Sequence, residues 1–157
     1  MRTLKSAVVG AILIHCLSTT AHAADCNEIT NILSTADWHT LASGPGDGKI
    51  APAKTLLSGF DRCKIYFRDP DFAYTYECSG PASTTQGDDN MAAVKAVVSQ
   101  WRSCFDGWSE TSKSSGIPNV MNIAGVNFRK DKFEVFFSRQ KLGDDTSPVS
   151  ISFGRTK

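Results

Sequence analysis

The chain has 157 residues, 41% of them hydrophobic, with 17 basic and 16 acidic side chains and a formal net charge of +1. Near-neutrality argues against nucleic acid as a partner, because phosphate contacts need a basic excess, and against tight adhesion to an acidic membrane surface. The length supports one domain with a real hydrophobic core.

Arg2 and Lys5 precede an apolar run from Ala7 to Leu17, followed by Ala21-His22-Ala23. A charged start, a short apolar stretch and an A-x-A end are the parts of a cleavable secretory signal, so residues 1–23 are expected to be removed. The run is too short to span a bilayer, which takes about 20 residues. Cleavage of 23 of the 157 residues leaves 134, starting at Ala24; two bases and no acid leave, so the net charge becomes −1. The expectation is an exported protein, periplasmic or secreted, with residues 24–157 as a single domain and no membrane anchor after cleavage.

Five cysteines are present, and Cys16 leaves with the signal. Cys26, Cys63, Cys78 and Cys104 then enter an oxidising compartment, where two disulfides are expected. No C-x-x-C or Cys/His ligand spacing points to zinc, and neither a metal nor another cofactor is expected.

In chain order, Asp25 and Glu28 stand at capping-box spacing. Cys26, Ile29, Ile32, Leu33 and Ala36 recur every three or four residues, which predicts a helix to about Leu41. Gly44-Pro45-Gly46 stops it, and residues 44–54 read as a loop. Thr55 to Phe60 is a candidate short strand. Cys63, Ile65 and Phe67 alternate with polar residues, as do Phe72, Tyr74, Tyr76 and Cys78 after Asp69-Pro70-Asp71, which predicts a β-hairpin. With Pro70 and Asp71 in the turn, Cys63 faces Cys78 at bridging distance. Residues 79–87 form a connection, and Asp88-Asp89 open a second helix at its positive end. Met91, Val94, Val98, Trp101, Phe105 and Trp108 make its apolar stripe, and Gly107 with the Ser-rich stretch 109–115 ends it. A helix returning along the hairpin carries Cys104 towards the first helix, which favours Cys26–Cys104 as the second bridge. Val126 and Phe128, then Phe133, Val135 and Phe137, predict another hairpin, and Val149, Ile151 and Phe153 a last strand after the polar loop 140–148. The expected class is α+β: an antiparallel sheet of about five strands with two helices on one face, in the order α-β-β-α-β-β-β. That order is common among small α+β modules and carries no functional weight.

Catalytic signals are sparse. His39 is the sole histidine after cleavage; Asp37 is near it, but two positions apart on a helix the side chains point to different sides. No G-x-S-x-G elbow, H-E-x-x-H, EF-hand or complete phosphate loop occurs, and no catalytic residue is assigned. Glu77, Glu110 and Glu134 are the candidates for a carboxylate pair acting on sugar. Arg129, Lys130, Lys132, Arg139, Lys141, Arg155 and Lys157 give the last third a local basic excess, which reads as the solvated edge of a sheet. Trp101 and Trp108 read as core. The polar strand face of the first hairpin (Lys64, Tyr66, Arg68, Thr75 and Glu77) is the candidate binding surface. The expected function is a non-catalytic domain that binds an envelope or extracellular protein, as an inhibitor, immunity factor or accessory subunit. The alternatives are a small envelope hydrolase using paired carboxylates and a small-ligand-binding protein.

Overall fold

A computed structural model describes residues 25–44, 46–67, 72–80, 89–117, 120–143 and 145–156; the expected signal segment lies outside them. Helix α1 is Cys26–Ser34 and α2 is Asn90–Trp101. The strands are β1 (Ile50–Pro52), β2 (Arg62–Tyr66), β3 (Phe72–Ser79), β4 (Ser109–Ile117), β5 (Met121–Lys130), β6 (Phe133–Leu142), β7 (Asp145–Thr146) and β8 (Ser150–Thr156). They form one antiparallel sheet in the order β1-β2-β3-β8-β6-β5-β4, with β7 paired to β6. The last strand therefore joins the two halves: β8 lies between β3 of the first hairpin and β6 of the second.

The α+β class, the two helices and the antiparallel sheet are as expected, but the sheet has eight strands rather than about five. The element order becomes α-β-β-β-α-β-β-β-β-β. Two of the added strands have a clear physical reason. β1 falls in the expected loop 44–54; Gly46 and Gly48, at φ of 57° and 80°, turn the chain so that Ala51 pairs with Ile65 and becomes fully buried. β4 falls in the Ser-rich stretch read as a helix terminator. All nine of its residues are exposed, so no apolar alternation marks it, and it is held by a ladder to β5. β7 is two residues inside the expected polar loop. The candidate strand at Thr55–Phe60 is a turn instead. Phe60 donates its N–H to the Leu57 carbonyl at 3.0 Å, and both side chains plug the core.

The first helix also ends sooner than expected. Trp38 lies nine residues after Ile29, about half a turn away around a continuous helix at ~100° per residue. Extending α1 to Leu41 would aim that indole away from the core. The chain instead leaves the helix at Thr35 and Asp37 caps a separate 3-10 turn, Trp38–Leu41, in which Trp38 is fully buried. Asp89 caps α2 in the same manner, accepting from the N–H groups of Met91 and Ala92 at 2.9 and 3.0 Å.

The core lies on one side of the sheet. Ile65, Tyr76, Ile151, Phe153, Val135, Phe137, Val126 and Phe128 project from the strands towards Val94, Val98 and Trp101 of α2, Ile29 and Ile32 of α1, and Trp38. Trp101 is core, and Trp108 is partly buried against it. Two disulfides brace this layer. Cys63–Cys78 bridges directly opposed residues of β2 and β3, and Cys26–Cys104 ties α1 to the 3-10 turn Arg102–Phe105 that follows α2.

Candidate functional site: the open face of the sheet

Because strand side chains alternate between faces, the residues between the core positions all point to the side that no helix covers. The pairing registers arrange them in three rows across six strands. The first row reads Lys64, Glu77, Ser152, Phe136, Asn127 and Thr111; the second Tyr66, Thr75, Gly154, Glu134, Arg129 and Ser109; the third Arg62, Ser79, Ser150, Ser138, Gly125 and Lys113. At ~4.8 Å between strands, each row is about 24 Å wide.

Ser152 and Gly154 on β8 are small, so the middle of this face is low. A cleft of about 370 Å³ opens there, walled by Thr75 and Glu77 on one side and by Glu134, Phe136, Asn127, Gly125, Thr111 and Lys113 on the other. A second cleft of about 220 Å³ is lined by Arg62, Lys64, Tyr66, Glu77 and Ser79. Glu77 belongs to both. Of the five residues expected to form a binding surface, Lys64, Tyr66, Thr75 and Glu77 thus lie together on two adjacent rows. Arg68 lies outside the described residues.

Two carboxylates in the larger cleft have different surroundings. Glu134 is held by donors: the Asn127 amide Nδ2 donates to Oε1 at 2.7 Å and the Arg129 guanidinium to Oε2. Glu77 is more than half removed from water, and this burial raises its pKa, opposed by the charge of Lys64 across the β2–β3 ladder. Burial, and then the negative charge of Glu77, also push the Tyr66 hydroxyl up. A carboxylate whose folded pKa is raised binds its proton more tightly in the folded than in the unfolded chain. Folding stability is then greatest below the unfolded pKa and falls as pH rises through the folded one. Glu77→Gln is accordingly expected to raise the thermal midpoint at neutral pH and to leave it unchanged near pH 3, where both states carry the proton. Thermal unfolding of both proteins at the two pH values checks this. An equal shift at both would assign the effect to packing.

The third candidate acid, Glu110, is on the other face, where Arg102 Nη2 donates to it at 3.0 Å. Asp37 and His39 do not diverge as expected, because they occupy a cap and a 3-10 turn rather than a helix. Asp37 Oδ1 accepts the His39 backbone N–H at 3.0 Å and lies 2.9 Å from Nδ1. These bonds, the backbone one foremost, lower the Asp37 pKa. The imidazole stacks on Phe67 with ring centroids 4.4 Å apart and meets Tyr74 edge-on. Of the basic residues of the last third, Lys132 and Arg155 both lie over the Phe133 ring, each 5.7 Å from its centroid. Arg139 is buried, Arg129 is engaged by Glu134, and Arg155 donates to the Ala36 carbonyl at 2.9 Å, while Lys157 lies outside the described residues. Among the described residues no group of three or more His, Cys, Asp or Glu side chains is arranged to hold a metal ion.

Of the β4, β5, β6 and β8 half of this face, sequence reasoning singled out Glu134 as a candidate acid and missed the rest as a site. One signal was there: Phe136 is an aromatic at a polar position of the Phe133–Phe137 alternation, beside a glycine in the interior of the neighbouring strand. Compared with known protein families, curated proteins and solved structures, the chain matches none of them.

Proposed function

We propose that this protein is a non-catalytic binding domain that engages an envelope or extracellular protein through the open face of its sheet. The observation that carries this reading is the asymmetry of the sheet: one face is packed under helices, and the other carries a mixed polar array with two adjoining clefts. A single-sided sheet needs its polar face only to stay in water, yet here that face is recessed, aromatic in two places and flanked by both charges. Such a surface gives a partner hydrogen bonds and electrostatic register. Two disulfides fit an oxidising compartment, and no helix among the described residues is long and apolar enough to cross a membrane.

The test uses Lys64→Glu and Tyr66→Ala, exposed or half-exposed positions whose loss leaves the core intact. An envelope protein retained by the folded wild type should bind each variant at least about tenfold more weakly, because truncating a contact near an interface centre costs on the order of 1–2 kcal/mol. Unchanged affinity with both variants would remove the open face as the docking surface.

A second reading is supported by one observation, the presence of Glu77 and Glu134 in the same cleft with differently tuned surroundings. An acid whose pKa is raised by burial, in one cleft with a hydrogen-bonded carboxylate, is the kind of pair that acid–base hydrolysis of a glycoside uses. Turnover of a cell-wall saccharide abolished by Glu77→Gln would establish it in place of the binding reading.

A further inference from the structure

Phe136 is the residue of the open face that solubility does not explain. Its neighbours at the same parity of β6 are Glu134 and Ser138, and this half-buried aromatic between them lies on the face turned away from the core. Its ring leans across the adjoining strand: a Cβ placed on Gly125 would sit 2.3 Å from both Cε2 and Cζ. Only glycine at 125 leaves room for the ring to lie there, so the pair forms an aromatic plate in the wall of the larger cleft. Around the plate stand acceptors, Glu77 and Glu134, and donors, Lys113 and Ser152.

This combination selects among ligand chemistries. Two carboxylates oppose a phosphate or carboxylate ligand, and Lys113 with Lys64 beyond the wall opposes a simple cation. Polar walls oppose a wholly apolar one. What remains is a neutral ring with an apolar face and a rim of hydroxyls, each of which can donate to a carboxylate and accept from an ammonium or hydroxyl. The volume of about 370 Å³ is at the lower end of the range of small-ligand sites. We infer that the cleft binds a neutral saccharide, with one sugar ring stacked on Phe136 and its hydroxyls hydrogen-bonded by Glu77 and Glu134. The inference rests on the open face being the binding face and adds the chemistry that its cleft accepts. Hydrogen bonds exchanged with water contribute little net affinity, so the aromatic stack supplies most of the preference.

The experiment titrates the oxidised, ¹⁵N-labelled protein with cellobiose, N,N′-diacetylchitobiose and maltose and follows amide shifts. Binding should move amides of 75–77, 125–127, 134–136 and 152–154 together. Phe136→Leu, which keeps an apolar side chain without the ring, should weaken binding about tenfold or more; Phe136→Tyr should retain it. Unfolding of Phe136→Leu does not block the test, because Gly125→Ser, which displaces the ring by adding a Cβ, must weaken binding likewise. Absence of shifts with all three sugars, or equal affinity in the variants, overturns the inference. If the sugars are silent while a partner protein is still lost on Lys64→Glu, the saccharide assignment alone falls. If the partner ignores Lys64→Glu and Tyr66→Ala as well, the open-face reading falls with it.

Discussion

Replacing Cys26 and Cys104 together by alanine is expected to lower the stability of the folded protein by about 4–5 kcal/mol, a large part of the margin of about 5–15 kcal/mol usual for a domain. The bridge spans 78 positions of sequence, so its absence returns a long loop to the unfolded ensemble, whereas Cys63–Cys78 spans only 15. Chain-entropy arithmetic gives about 3 kcal/mol for a loop of the shorter length. The longer bridge has a second role. Helix α1 has nine residues, below the length at which a helix is stable alone. The bridge anchors its first turn to the 3-10 turn after α2, and its side chains Ile29 and Ile32 complete the core. Urea unfolding of the oxidised double variant measures the effect. A loss below about 1 kcal/mol would mean that α1 is held by packing alone.

The second large effect separates two neighbours in the chain. Phe137→Ala is expected to cost about 3–5 kcal/mol, as large-to-small changes at buried aromatics do. Phe137 is fully buried, paired with Val126 on β5 and Ile151 on β8, and its ring centroid is 5.9 Å from Phe105 and 6.0 Å from Phe128. Phe136, one residue earlier and on the open face, should cost far less when truncated, since its ring touches water and the strand beneath it stays paired. On the proposed reading, stability resides in one residue of this dipeptide and recognition in the other. Chemical denaturation of both alanine variants checks the contrast. Equal losses would mean that the open face contributes to the core.

Much of this was legible in the sequence wherever alternation or helical spacing marked a buried face. Cys63, Ile65, Tyr76 and Cys78 could be placed opposite one another from alternation and turn chemistry alone, because a period of two fixes which side chains share a face. Val126, Phe128, Val135 and Phe137 followed for the same reason. What alternation cannot reveal is a strand that buries nothing: in β4, Ser109–Ile117, all positions are exposed, and its strand character comes from backbone pairing with β5. Likewise the 26–36 spacing could not show that burial of Trp38 would break the helix, since that outcome depends on where the sheet lies.

The candidate surface was half legible. Lys64, Tyr66, Thr75 and Glu77 share one hairpin, so local pairing brings them together. Phe136, Glu134, Asn127 and Lys113 reach the same cleft because β8 pairs with β6, 12 to 22 residues earlier, and also with β3, 71 or more residues earlier in sequence. No local pattern encodes such a juxtaposition, and only the position of β8 between the hairpins creates it.

The open face as a docking surface is tested most directly by oxidative footprinting of the folded protein, alone and with an envelope protein that it retains. With docking on the open face, Tyr66 and Phe136 lose reactivity in the complex while Leu56, exposed and away from that face, keeps its own. Protection confined to Leu56 and the α1 side, with Tyr66 and Phe136 unchanged, would contradict it.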